Sequence, residues 1–308
     1  MTELALYLAN PASLNEQRQF MATGDLAAWV WGPDTMPLER GAYEAVLEAL
    51  PEGNERRVRR LYLGNEFCPY LAWSQDELLR GVELAQAAGF EVTLIFCPQW
   101  ERAMNSTLGT IARIVTAHPG VEVVANDWGL LAALAELSAT GSAGRLLYKA
   151  KRNPRLSRET LPTGLPESTP APEDVLQRQL AQWALLPADA PWLTDWLRQM
   201  KASRVEIELV PQGLRCDAGN AMPISLHLPW TYITGGGHCP VALLRDSDGV
   251  TRCARGCRTT IVEATYPTRT WPLRQCGHTV FSPMVSLLKG YRNVPRIDRW
   301  VLSPGLPM

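Results

Sequence analysis

The stretch from His227 to Cys257, HLPWTYITGGGHCPVALLRDSDGVTRCARGC, holds three of the chain's seven cysteines. Cys253 and Cys257 stand four apart, so both thiols can face one centre; Cys239 precedes them across a loop-like run with Asp-Ser-Asp-Gly at its middle. Clustered thiols in a chain with no secretory signal point to metal ahead of disulfides. Zinc sites usually want two cysteine knuckles or added histidines. One knuckle and one distant cysteine leave a fourth ligand to come from elsewhere. Iron–sulfur clusters take four thiolates, which need not be contiguous. The fourth candidate is Cys68, in RLYLGNEFCPY. The apolar run before it reads as a buried strand ending in a turn. Just past a strand's C-terminal end is where parallel α/β folds place their chemistry.

These blocks together carry a resemblance. Tyr62-Leu63-Gly64 with Cys68 four residues on, then His227-Leu228-Pro229, then Cys239-x13-Cys253-x3-Cys257, resemble the collagenase-like peptidase family U-32. The likeness is nearest to its iron–sulfur branch, used in oxygen-independent ubiquinone synthesis. Val123 to Gly129, VVANDWG, is similar to that family's strand followed by Asp-x-Gly. The resemblance covers most of the chain, thinly outside these blocks. It implies a TIM-type (β/α) barrel and a [4Fe–4S] cluster on Cys68, Cys239, Cys253 and Cys257. It implies a part in oxygen-independent hydroxylation of an aromatic or heteroaromatic substrate, a ubiquinone-like precursor or an RNA base. A small organic acid such as prephenate is the implied oxygen donor, and a related family protein the implied partner in a heterodimer. Structural zinc is the alternative metal, since a tetrahedral four-sulfur site serves either. Two other functions stay open: a non-catalytic, cluster-bearing partner subunit, and a metal-independent protease. No Gly-x-Ser-x-Gly, His-Glu-x-x-His or P-loop motif is present, which weighs against the protease.

Other residues have two readings each. Asp127 follows a strand, where it either caps a helix or serves as a catalytic carboxylate. Lys149, Lys151, Arg152 and Arg155 form a cationic run. It is either a solvated face or a site for an anionic substrate or oxygen donor, since guanidinium groups grip carboxylates and phosphates bidentately. With no aromatic platform beside it, a nucleic-acid role is not favoured. Tyr232 and Trp230 either line a pocket for a planar substrate or pack around the cluster. His227 reads as a core histidine donating to a backbone carbonyl. Gly235 to Gly237 read as a flexible turn or as backbone close to an anion. Cys97, Cys216 and Cys276 lie outside the resembling blocks and are expected to be dispensable for the cluster.

These residues need a scaffold. The chain has 308 residues, 46% of them hydrophobic, enough for one barrel of about 250 residues with insertions. The net charge of −1 gives no overall pull towards nucleic acid. No segment approaches the roughly 20 apolar residues of a membrane helix, and the opening MTELALYLAN does not read as a signal peptide; a cytoplasmic location is expected. Strands are expected at Leu4–Leu8, Arg60–Leu63, Glu91–Phe96, Val121–Ala125, Gly144–Tyr148, Val205–Val210, Ile224–Leu228 and Val294–Leu302. Helices are expected between them, among them Leu14–Ala22, Glu77–Ala88 behind a Ser74 capping box, and Gly129–Leu137. This alternation marks parallel α/β architecture and fits either a barrel or an open doubly wound sheet; the resemblance selects the barrel. The expected organisation is one barrel-like domain over 1–308. Residues 150–202, basic, Pro-rich and then helical, form an excursion from it.

Overall fold

The structure is a computed structural model describing residues 2–31, 37–50, 56–148, 150, 173–217, 219–236, 238–245, 253, 255–258, 261–264 and 272–308. Eight strands close into a barrel: β1 (Glu3–Leu8), β2 (Arg60–Asn65), β3 (Glu91–Phe96), β4 (Glu122–Ala125), β5 (Thr140–Ala143), β6 (Ala202–Glu208), β7 (Ile224–Leu228) and β12 (Ile297–Leu302). Every neighbouring pair is parallel, and β12 closes the ring between β7 and β1. The TIM-type barrel that the resemblance implied is the observed fold, and the open sheet is set aside. Parallel strands covered by helices are buried on both faces, and β2 and β7 are buried at every position.

The period-two alternation of a strand divides its side chains between two cores. Outward residues such as Leu4, Leu6, Leu61, Leu63, Leu94 and Val123 join the large core under the helices. Inward ones, Ala5, Tyr7, Tyr62, Ile95, Val124 and Val301, make a small apolar layer inside the barrel. The helical layer includes α1 (Ala12–Glu16), α2 (Arg18–Thr23), α3 (Pro37–Ala49), α4 (Gln75–Ala87), α5 (Glu101–Ala117), α6 (Trp128–Glu136), α7 (Glu173–Trp183) and α8 (Pro191–Gln199). α4 starts where its sequence says it should. Ser74 N donates to Glu77 Oε2 at 2.7 Å, and Ser74 Oγ accepts from Glu77 N at 3.3 Å, a reciprocal cap. Its buried Leu78, Gly81, Val82 and Ala85 lie on one stripe. The helical part of 150–202 supplies α8, which rests on β6 through buried Leu193 and Leu197. No helix among the described residues is long and apolar enough to cross a membrane.

Two expectations need correction, and one sheet lies outside them. The helix expected over Leu14–Ala22 is broken at Gln17 (φ −99°, ψ 44°). There the buried Gln17 amide donates to Val30 O at 2.7 Å and accepts from Val30 N at 2.9 Å, exchanging helical continuity for a clamp on the Trp29–Trp31 segment. Gly144–Tyr148 is a turn, not a strand. The strand is β5, four residues earlier, and Leu147 N donates to Gly144 O at 3.1 Å. Finally, the run between β7 and β12 holds a second sheet: β8 (Trp230–Gly235), β9 (Ile261–Ala264), β10 (Leu273–Cys276) and β11 (Thr279–Pro283), antiparallel in the order β8-β11-β10-β9. With α9 (Pro240–Arg245) it sits beyond the C-terminal end of β7 and carries the late cysteines.

Candidate metal centre and cavity at the barrel mouth

The turn after β2 is built to deliver Cys68. Asn65 Oδ1 accepts from Phe67 N at 3.1 Å and Cys68 N at 2.8 Å, holding both amides in one turn. Before it, Gly64 has φ +125°, and a Cβ there would lie 2.3 Å from Ile95 O on β3. No other residue fits without moving the neighbouring strand. Gly64→Ala should therefore cost about 3 kcal/mol of stability, read as a lowered denaturation midpoint. An unchanged midpoint would mean that β2 and β3 separate easily here.

Cys68 is buried with Leu71, Val241, Cys257 and Cys276, and Cys239, Tyr70, Leu306 and Met308 pack against this group. The fold thus brings three of the four anticipated ligands, Cys68, Cys239 and Cys257, into one apolar contact group. Cys253 is partly buried. Its Sγ accepts from Arg255 N at 3.4 Å, and its charge is felt at Cys68. Cys276 also belongs to this group, although its sequence position set it apart. Its thiol donates to Cys257 O at 3.3 Å. Cys276-Gly277-His278-Thr279 is a two-residue hairpin turn with Gly277 at φ +58°; alternation on either side of a glycine turn was the signal that could have placed it. Cys216 lies away from the group, beside Arg296 and Asp189. Cys97 is buried at the end of β3, close enough for Cys68 to raise its pKa, although burial is the main cause.

Burial pushes the Cys68 thiol up to about 11, and Cys257 and Cys253 add to the rise. Cys276 is driven further, first by its hydrogen bond with Cys257 and then by burial. Converging thiols of this kind stay neutral unless a cation sits among them. Donor type and apolar surroundings therefore suit a thiolate-held metal or cluster. As the side chains stand, no three His, Cys, Asp or Glu residues among the described ones are arranged to hold a metal ion.

The thiol group forms one wall of an open cavity of about 630 Å³. Cys257 and Cys276 line it, facing Tyr7 from β1 and the Trp29–Trp31 segment that Gln17 clamps. Asp127 does not line it. Its Oδ1 accepts from Leu130 N at 3.0 Å and caps α6. Tyr232 stacks on Phe67 (5.5 Å between centroids, 26°), and its N donates to Glu208 Oε2 at 2.8 Å. Lys149, Lys151, Arg152 and Arg155 lie outside the described residues.

Sequence reasoning missed the charged interior below the mouth. Arg145, inside the expected strand Gly144–Tyr148, is 1% exposed. Its Nη2 donates to Glu66 Oε2 at 2.8 Å, and its Nη1 to Glu208 Oε2 and Trp230 O, each at 3.0 Å. Burial opposes its charge, but the two carboxylates hold it above the ordinary arginine value. His227 faces a carboxylate, not a backbone carbonyl: Nε2 lies 2.9 Å from Glu206 Oε2. Tyr62 OH donates to Glu206 Oε1 at 3.3 Å and accepts from Arg299 Nη1 at 2.9 Å. Arg299 also donates to Glu122 at 2.7 Å.

No protein-family model and no curated protein matches the chain.

Proposed function

We propose that this chain is an iron–sulfur protein, similar in kind to family U-32. Cys68, Cys239, Cys253 and Cys257 hold a [4Fe–4S] cluster that serves oxygen-independent hydroxylation of a planar aromatic or heteroaromatic substrate. The observation that carries the reading is the shared wall: Cys257 lines the large cavity and packs with Cys68 and Cys239. When bound, the cluster supplies one-electron chemistry at that wall. The chain's own residues do the rest. Trp29, Trp31 and Tyr7 offer aromatic surface to a planar ligand, and Leu306 and Met308 keep water from that side. Lys149, Lys151, Arg152 and Arg155 are the proposed contacts for an anionic oxygen donor.

Anaerobically prepared protein should carry about four irons and four sulfides. Cys68→Ala and Cys257→Ala should each lose the iron while keeping the far-ultraviolet circular dichroism of the parent; Cys97→Ala, Cys216→Ala and Cys276→Ala should retain it. Stoichiometric zinc with no iron after anaerobic reconstitution would replace the cluster with a structural metal. The partner-subunit reading has one feature in its favour. Trp192 and Trp196, one turn apart on α8, are 71% and 51% exposed, an unusual aromatic pair for a free surface. Iron-loaded protein that is inactive until a related family protein is added would favour it.

A further inference from the structure

A four-iron cluster takes four thiolates, and the barrel mouth gathers one thiol more than that. Cys276 is the cysteine left over: it packs with Cys68 and Cys257 and stands outside the proposed ligand set. Cys257 and Cys276 are each 4% exposed, yet both line the open cavity. A small solute that enters the cavity meets these two sulfur-bearing residues together.

The pair is assembled from separate elements. Cys257 sits in the single turn Gly256–Arg258, and Cys276 ends β10. Their thiols are hydrogen-bonded to each other, and Cys276 Sγ also donates to Cys257 O at 3.3 Å. Gly277 makes the approach close: a Cβ there would lie 3.4 Å from Cys257 Cβ and 3.6 Å from Cys257 Sγ. The Cys257 side chain therefore rests on the backbone that follows Cys276. Neighbouring thiols are engaged by their own surroundings. Cys68 Sγ accepts from the amides of Tyr70 and Leu71, Cys97 Sγ from Gln99 Nε2 at 3.7 Å and Cys253 Sγ from Arg255 N at 3.4 Å. A disulfide forms readily where two side chains meet without movement of the backbone, and Cys257 and Cys276 already meet.

We propose that Cys257 and Cys276 form a reversible disulfide in the metal-free chain, a redox switch that withdraws one metal ligand and returns it on reduction. The oxidant is a peroxide small enough to enter the cavity. One sulfur attacks a peroxide oxygen, giving a sulfenic acid and one water. The second sulfur displaces the sulfenic hydroxyl as another water, and the S–S bond closes. Two thiols lose two electrons and two protons, and hydrogen peroxide becomes two waters. A small dithiol reverses the step by exchange. With Cys257 in the disulfide, three of the proposed ligands remain, too few for the cluster. Without Cys276 as partner, further peroxide carries Cys257 on to the sulfinic acid, which a thiol does not reduce. The pairing rests on the two thiols; its effect on metal loading rests on the proposed function.

Arg252, Arg255, Arg258 and Arg274 put Cys253, Cys257 and Cys276 in separate tryptic peptides. The full chain, freed of metal and reduced, is treated with equimolar hydrogen peroxide, alkylated and digested. Mass spectrometry should find Cys257 joined chiefly to Cys276, and dithiothreitol should release it. Zinc needs no reductant to load, so it probes the oxidised site directly. The linked chain should bind zinc at least about tenfold more weakly than the reduced chain, since even an outer-shell partner of a metal ligand is worth that much. In Cys276→Ser, excess peroxide should carry Cys257 to the sulfinic acid, with zinc binding that dithiothreitol does not restore. Cys257 joined chiefly to Cys68, Cys239 or Cys253 overturns the proposal. So does oxidation that leaves Cys276 unlinked, and so does unchanged zinc affinity in the linked chain. Should Cys276→Ser not fold, the peptide map of the parent decides. A linkage in a chain that, when reduced, binds neither zinc nor iron would leave the disulfide standing and remove the metal reading. A chain that loads iron but forms no such linkage when metal-free would do the reverse.

Discussion

Arg145→Met should destabilise the folded chain by about 3–5 kcal/mol, the usual cost of stranding buried charges by removing their partner. Glu66 and Glu208, 0% and 3% exposed, both depend on this guanidinium. It also donates to Trp230 O at the start of β8 and lies under the Phe67 ring, with Cζ 5.2 Å from the centroid. Glu66 and Phe67 belong to the turn that delivers Cys68, and Trp230 opens the sheet that carries Cys276. The ion group therefore ties the two sources of thiols to the barrel. Urea unfolding should give a much lower midpoint at an unchanged slope. Removing the charge from exposed Arg198 should change stability by about 0.5 kcal/mol or less. Adding Glu66→Gln and Glu208→Gln to Arg145→Met should restore part of the loss, because the stranded charges go with their partner. A loss below about 1 kcal/mol for Arg145→Met alone would mean that water reaches the carboxylates.

The second large effect is a pH dependence set by Glu206 and His227. Burial pushes Glu206 up to about 7 from its ordinary 4.5. Burial, helped by the charge of Arg145, pushes His227 down to about 3 from 6.5. The two groups act in opposite directions. The stability that Glu206 contributes is full below about 4.5 and is lost as pH rises through 7. That of His227 is full above 6.5 and is lost as pH falls towards 3. Between pH 4.5 and 6.5 the unfolded chain carries one proton on His227 and the folded chain carries one on Glu206. Proton counts then match, and this pair gives no slope. Glu206→Gln removes one side of the balance. Relative to the parent, the variant should gain about 3 kcal/mol as pH rises from 4.5 to 7, because a tenfold difference in proton affinity between folded and unfolded chain is worth about 1.4 kcal/mol. Below pH 6.5 it should lose stability with acid while the parent stays level. Parallel stability curves for the two proteins across this range would show that Glu206 is ionised throughout.

The sequence alone determined the elements whose causes are local. Ser74 and Glu77, three residues apart, make the cap that starts α4. Asp127 caps α6 through Leu130 N, also three residues away. The apolar runs of β1, β2, β3, β4 and β7 were legible because a strand buried on both faces must be apolar almost throughout. β5 was not, because Thr140-Gly141-Ser142-Ala143 is short and small, and the more apolar Gly144–Tyr148 beside it is the better strand by composition. Cys68 was legible as a residue just past a strand end.

Tertiary structure alone decided what meets inside the barrel and at its mouth. Arg145 reaches Glu66 across 79 residues and Glu208 across 63. In the sequence it stands inside the expected strand Gly144–Tyr148, with no carboxylate near it in the chain to mark an ion pair. Glu206 and His227 alternate with apolar residues on two strands, and only the parallel pairing of β6 with β7 brings the two side chains within reach. Cys276 joins Cys257 because β10 folds back on β9 and β11, a pairing set by hairpin register and not by cysteine spacing. The large cavity has the same origin. Its wall combines the end of β1, the Trp29–Trp31 segment, two cysteines of the inserted sheet region and the last residues of the chain. Propensity and capping act over a few residues, whereas a binding surface is made of residues that become neighbours only when a ring of eight strands closes.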